Sequence, residues 1–309
     1  MVQRDVGKRT ALRLFSAHRT NRFRMKMSWH KKVSRLIRGR IRRKVLARHG
    51  IGVCVETYNG RFVVDPGDFV VSRSLLERGE YDRPEIEWLS DIVGTRAGTL
   101  VIVGVHVGAV LVPLAKRAAR VIGFEANPPT YRLAQLNLLL NETRNAELVN
   151  KAIGLGGGVV SIVANPINTG NASISASTGA GAETISLISL DSFCAANAVD
   201  SIDLLIVDIE GHEFHALRGA EQTLQRTANL YVEYAPEQLR EHGTNPAELV
   251  DYVTDRFKLM YLFGPDVRAF TAAEAKHYLK NLPERKGLLL NLLLTNRELP
   301  PAALQRRGV

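Results

Sequence analysis

Residues 208–213 read Asp208-Ile209-Glu210-Gly211-His212-Glu213, three carboxylates and an imidazole placed directly after the apolar run 204–207. Burying a carboxylate without partners is costly, so this cluster must line a cleft or face water. A carboxylate or imidazole there can take a proton from an attacking hydroxyl or orient it, and grouped oxygens can also hold a divalent cation. Asp208, Glu210 and His212 are accordingly the candidate catalytic residues. Acids in a first helical turn also answer the helix dipole, which by itself accounts for Glu210 and Glu213. A further acid, Glu233, ends the apolar run 230–232 and would lie beside Asp208 if the two strands are neighbours.

A second constellation has nucleoside chemistry. Gly104-Val105-His106-Val107-Gly108 follows an apolar run and precedes a helical pattern, and glycines in such a turn let the backbone come close to a ligand. Glu125 ends the next apolar run, 21 residues after Gly104, where an acid can accept hydrogen bonds from both hydroxyls of a ribose. A dinucleotide needs a third glycine to seat its pyrophosphate on a helix N-terminus. This chain has Gly-x-x-x-Gly and no third glycine, so S-adenosylmethionine, which carries a ribose and no phosphate, is the cofactor expected over NAD.

These residues need an open α/β sheet to position them, because ligands there sit at the carboxyl ends of the strands. The pattern supplies it: strands are expected at 100–103, 121–125, 147–150, 204–208, 230–233, 259–263 and 288–294, with helices at 111–119, 129–140 and between most of the others. Such alternation implies a mostly parallel sheet covered on both faces, a doubly wound Rossmann-like α/β fold of seven strands. Ahead of it, residues 53–64 read as a hairpin about Asn59-Gly60, and 75–92 as helix interrupted by Gly79 and Pro84. Residues 153–184, rich in Gly, Ser, Asn and Ala, read as a short β excursion with a flexible loop. The expected organisation is a basic helical extension over 1–50, a lead-in hairpin and helix over 51–97, and the main domain over 98–309.

Charge sets the first segment apart. Residues 1–50 hold 17 Lys and Arg against the single acid Asp5, leaving 24 basic and 30 acidic side chains in the rest. Such a segment can contact an anionic membrane surface, a nucleic acid or an acidic glycan, or remain a solvated arm. It also resembles an organelle transit peptide, and it lacks the continuous apolar stretch of a secretory signal. No run of eighteen apolar residues occurs, so no integral membrane segment is expected. Cys54 and Cys194 are the only cysteines and lack a metal-type spacing. Neither a disulfide framework nor a cysteine-bound zinc is therefore expected, no metal ligands are assigned, and a reducing cytoplasm fits. The sequence does not specify an oligomeric state.

Taken in order, the segments resemble the FkbM methyltransferase family. Phe124-Glu125-Ala126-Asn127-Pro128 is similar to that family's acidic strand end followed by Pro-Asn-Pro. Residues 201–213 resemble its Lys-x-Asp-x-Glu-Gly-x-Glu signature, with Leu217-Arg218-Gly219-Ala220-Glu221 following as in the family. Residues 150–154, 189–193 and 68–85 also resemble family segments. Two motifs depart: in the first, Ile102 stands where the family's Asp would be, with Val105 and His106 in place of Ala-Asn, and in the second, Ile206 stands where Lys would precede Asp208.

The resemblance implies a class I methyltransferase fold and methyl transfer from S-adenosylmethionine to a hydroxyl of a small-molecule or carbohydrate acceptor: a sugar, a glycolipid or a natural product. The strand-end positions place Gly104, His106, Gly108, Glu125, Asn127 and Asn150 at the donor, and Asp208 and Glu210 at the acceptor with His212 and His106 as lesser candidates there. The basic segment keeps an RNA methyltransferase as an alternative, and the two departures keep a non-catalytic binding protein of the same fold as another.

Overall fold

The computed structural model describes residues 52–68, 70–95, 97–163, 173–175, 183–264, 266–283 and 285–305. The basic extension expected over 1–50 lies outside them. In chain order the elements begin with β1 (Val53–Thr57), β2 (Gly60–Val64), α1 (Val71–Arg78), α2 (Arg83–Val93), β3 (Ala97–Val103), α3 (Leu111–Ala115), β4 (Ala118–Phe124), α4 (Pro128–Leu140) and β5 (Ala146–Val149). Next come β6 (Ala152–Ile153), β7 (Gly158–Val163), β8 (Ser173–Ser175), β9 (Glu183–Ile188), α5 (Leu190–Ala196), β10 (Leu204–Val207), α6 (Glu213–Arg218) and α7 (Glu221–Gln225). The described chain ends with β11 (Asn229–Tyr234), α8 (Pro236–Glu241), α9 (Pro246–Thr254), β12 (Leu259–Leu262), β13 (Arg268–Thr271), α10 (Ala272–Lys280), β14 (Leu290–Thr295) and α11 (Pro301–Gln305).

The main sheet has the order β13-β12-β14-β11-β10-β3-β4-β5. Strands β5, β4, β3, β10 and β11 pair in parallel, and β14 inserts antiparallel between β11 and β12. The seven strands expected are all present, and an eighth, β13, pairs antiparallel with β12 at the edge. Strand β10, at the centre of the sheet, is apolar throughout and all four of its residues are buried, as expected of a parallel strand covered by helices on both faces. Alternate residues feed two cores. Ile102, Ile206 and Tyr231 pack with Trp88 and the lead-in residues Phe62, Val64 and Leu75 on one face. Val101, Val103, Leu205 and Val207 pack with Leu217 and Leu239 on the other.

Helix α3 is shorter than the 111–119 expected. The chain turns after Ala115, with the Arg117 N–H donating to Leu114 O, because Ala118 already pairs with Ala97 in the sheet. Residues 152–188 contribute a second, four-stranded sheet of order β6-β9-β7-β8. The loop expected within 153–184 lies for the most part outside the described residues. Among the described residues no helix is long and apolar enough to cross a membrane.

Candidate functional site

The parallel strands deliver the singled-out residues to one end of the sheet. Gly104 follows β3 with φ +95°, and a Cβ there would run into the carbonyl oxygen of Asp208, which follows β10. A side chain is excluded at Gly104 because the two strand ends close on each other there. Gly108 differs: its φ is +89°, but its nearest neighbour would be Val112 Cγ2 at 3.9 Å, so its requirement is conformational.

Glu125, only 9% exposed, sits between two loops. Its Oε2 accepts the N–H of His106 at 2.8 Å and its Oε1 accepts the N–H of Asn127 at 2.8 Å. Burial pushes its pKa up to about 7, against the pull of those two N–H groups. A carboxylate offers about four acceptor sites, so two remain after these bonds. Asn127 starts α4, ahead of Pro128, and its Nδ2 donates to Thr130 Oγ1 at 2.9 Å. Asn150 Nδ2 donates to the carbonyls of Glu125 and Ala126 at 2.8 and 3.2 Å. Both side-chain amides brace the loop around Glu125.

The acidic cluster divides into distinct environments. Asp208 is half-buried, and its N–H donates to Val103 O at 3.1 Å. Glu210 has the left-handed φ of +57°, and Gln238 Nε2 on α8 donates to its carboxylate. Glu213 is fully buried, accepts the N–H groups of Ile209 and Gly211 at 3.0 to 3.1 Å, and so ties down the loop before α6. Burial raises its pKa to about 7, with the neighbouring charge of Asp208 adding to the rise. His212 packs its ring 4.0 Å from that of His242 and 6.0 Å from that of His215. Burial, then the two other histidines, lowers its pKa to about 4, which leaves it neutral at pH 7.

The neighbouring strands expected for Asp208 and Glu233 are present. Val207 pairs with Val232, so Asp208, just past β10, lies beside Glu233, the last residue but one of β11, which is 1% exposed.

Residues 103–259 match the family described as Methyltransferase FkbM domain, half of the chain. The chain belongs to the FkbM methyltransferase family. A curated relative, the 2-O-methyltransferase NoeI of Sinorhizobium fredii, is 32% identical over 74 residues, 24% of this chain and 30% of that protein. A solved FkbM methyltransferase from Methylobacillus flagellatus is 14% identical, with a TM-score of 0.43 over 70% of this chain and 48% of its own. A putative O-methyltransferase from Klebsiella pneumoniae is 12% identical, with a TM-score of 0.41 over 73% of this chain and 86% of its own. The chain thus spans less than a third of the curated relative it matches, and about half of the solved FkbM structure.

The two FkbM signature departures lie in the core. Ile102 is 2% and Ile206 5% exposed, both in the cluster beneath α2. On the same face the structure adds residues that the sequence did not single out for the site. Glu85 of α2 accepts the Tyr231 hydroxyl at 2.8 Å and Asn291 Nδ2 at 2.7 Å, and Asn291 pairs with Glu233 across β14 and β11. No local pattern marks Glu85. It is brought there because Trp88, one turn on, packs against Tyr231 and Phe263. Gln238 and His242, which hold Glu210 and His212, carry no sequence signal of their own either.

Proposed function

We propose that this FkbM-family chain is an S-adenosylmethionine-dependent O-methyltransferase acting on a hydroxyl of a sugar, glycolipid or natural-product acceptor. The observation that supports the reading is Glu125: a nearly buried acid at a strand end, fixed by one N–H from each of two loops, with acceptor sites left that suit a ribose diol. The fit is to a nucleoside without phosphates. Gly104 is closed against Asp208, and no third glycine opens room for a pyrophosphate. The name of the Sinorhizobium relative, a 2-O-methyltransferase, supports an oxygen acceptor.

Bound there, the donor supplies an electrophilic methyl group on a sulfonium. The chain's own residues supply alignment and proton handling. Asp208, between the glycine loop and the end of β11, orients the acceptor hydroxyl and takes its proton. Glu210, steadied by Gln238, is the second carboxylate able to do so. His212, neutral and packed on His242, lines this loop and holds its shape. Gly104, His106 and Gly108 form the donor loop, Glu125 holds the ribose, and Asn127 and Asn150 fix the adenosine side through the backbone they brace. Residues 1–50 serve contact with an anionic surface.

A second reading, a binding protein of this fold that no longer uses the donor, is favoured by Ile102 and Ile206, buried and apolar where the family has Asp and Lys. Calorimetric titration with S-adenosylhomocysteine separates the two. Micromolar or tighter binding supports the methyltransferase; no binding supports the second reading.

A further inference from the structure

Three of the five residues 104–108 have left-handed backbones: Gly104 at φ +95°, His106 at +53° and Gly108 at +89°. His106 carries a Cβ and is strained there, and strained backbone persists only where its surroundings over-determine it. Much of that determination comes from two asparagines outside the loop. Asn59, in the turn between β1 and β2, is fully buried; its Nδ2 donates to Ala109 O and Tyr81 O, both at 2.8 Å, and its Oδ1 accepts the Tyr81 N–H at 2.9 Å. Asn137, on α4 and also fully buried, donates through Nδ2 to Val107 O at 2.9 Å and Val63 O at 3.1 Å, and accepts the Val63 N–H at 2.7 Å. The carbonyls on either side of Gly108 are therefore each held by an asparagine.

We infer that the β1–β2 hairpin is a positioning element of the donor site, with Asn59 and Asn137 as the positioning residues that hold loop 104–109 in its ligand-ready shape. Each links two backbone segments through one amide group, so the hairpin, the α1–α2 connection, α4 and the loop form one hydrogen-bonded unit. The consequence reaches the ligand through His106, whose N–H is one of the two that fix Glu125. Freed at Val107 or Ala109, the loop relaxes toward ordinary φ values, and that N–H leaves the carboxylate. This inference rests on the donor reading above.

The test uses the full chain with Asn59→Ala and Asn137→Ala, and Asn141→Ala as the control. Asn141 bonds Arg61 of the same hairpin through both its amide atoms, and the backbone carbonyl of Asn137 through Nδ2, but bonds neither Val107 O nor Ala109 O. S-adenosylhomocysteine affinity should fall tenfold or more in the first two variants and stay within twofold in the control. Equal affinity in all four proteins overturns the inference, whereas no binding by wild type contradicts the donor reading instead. Amide hydrogen exchange of ligand-free wild type needs no variant to fold. The amides of 106–109 should share the opening free energy of those in β1 and β2, as one cooperative unit. Loop amides that stay protected while the hairpin opens would also overturn it.

Discussion

Glu125 accepts the backbone N–H of His106 at 2.8 Å, so the acid that ends β4 is fastened to the glycine loop that follows β3. Its burial pushes its pKa up to about 7, and a ribose diol is bound best by the charged form. Donor affinity should therefore rise as pH increases through about 7, with a proton released on binding. Calorimetry in buffers of different ionisation enthalpy reads both. An affinity flat from pH 6 to 8 would remove Glu125 from the ribose site.

For Asp208→Asn the shape is kept and the charge removed. Turnover should fall at least about a hundredfold, the lower end of a general-base contribution, while donor affinity changes little. Single-turnover rates beside binding constants give the comparison. A rate near that of wild type would transfer the proton-accepting role to Glu210.

Gly104 and Gly108 should respond differently to alanine. At Gly108 only the left-handed backbone resists, about 1 to 2 kcal/mol. At Gly104 the new Cβ also meets the Asp208 carbonyl oxygen, so the loss must be larger, and it should disturb both the loop 104–108 and Asp208. Urea unfolding of the two variants measures the order. Equal losses would mean that the β3 and β10 ends are not closed on each other.

Much of the fold was legible because its signals are local. Unbroken apolar runs marked the strands, and the turn Asn59-Gly60 marked the hairpin. The edge strand β13 escaped, since Arg268–Thr271 alternates half-buried with exposed residues and has no apolar run. In the site, Asp208 and Glu233 stood out because each closes an apolar run, and their adjacency followed from the pairing of β10 with β11. Glu213 is different: the dipole of α6 explains an acid there, yet its burial beneath Ile209 and Gly211 depends on how the loop folds back. The pairing of His212 with His242, 30 residues away, and of Glu85 with Asn291 depends on tertiary packing and leaves no periodic trace.

His212 offers a stability test with a definite sign. Its folded pKa of about 4 lies below the ordinary 6.5, so the fold disfavours its charged form. The stability it leaves intact at pH 7 is lost as pH falls from about 6.5 toward 4. Wild type should lose up to about 3 kcal/mol more than His212→Phe across that window, for a shift of this size. Glu125 and Glu213 act oppositely, since acids raised to about 7 gain stability as pH falls from about 7 to 4.5. They are common to both proteins and cancel in the difference. Parallel pH profiles for the two proteins would show His212 to be exposed and freely titrating.

Truncation before Ile51 removes the 17 basic residues of the first segment and spares the hairpin, whose Asn59 bonds Ala109 O. The shortened chain should fold, bind donor as wild type does, and lose salt-dependent retention on anionic vesicles. A truncated chain that does not fold would show that the basic segment packs on the domain.

The most direct measurement is titration of the full chain, and of Glu125→Ala, with S-adenosylhomocysteine and separately with NAD. Wild type should bind the first and not the second, and the alanine variant should lose about 1.5 to 3 kcal/mol of affinity, the worth of hydrogen bonds to a charged group. Tight NAD binding with no detectable S-adenosylhomocysteine binding would contradict the account at its centre.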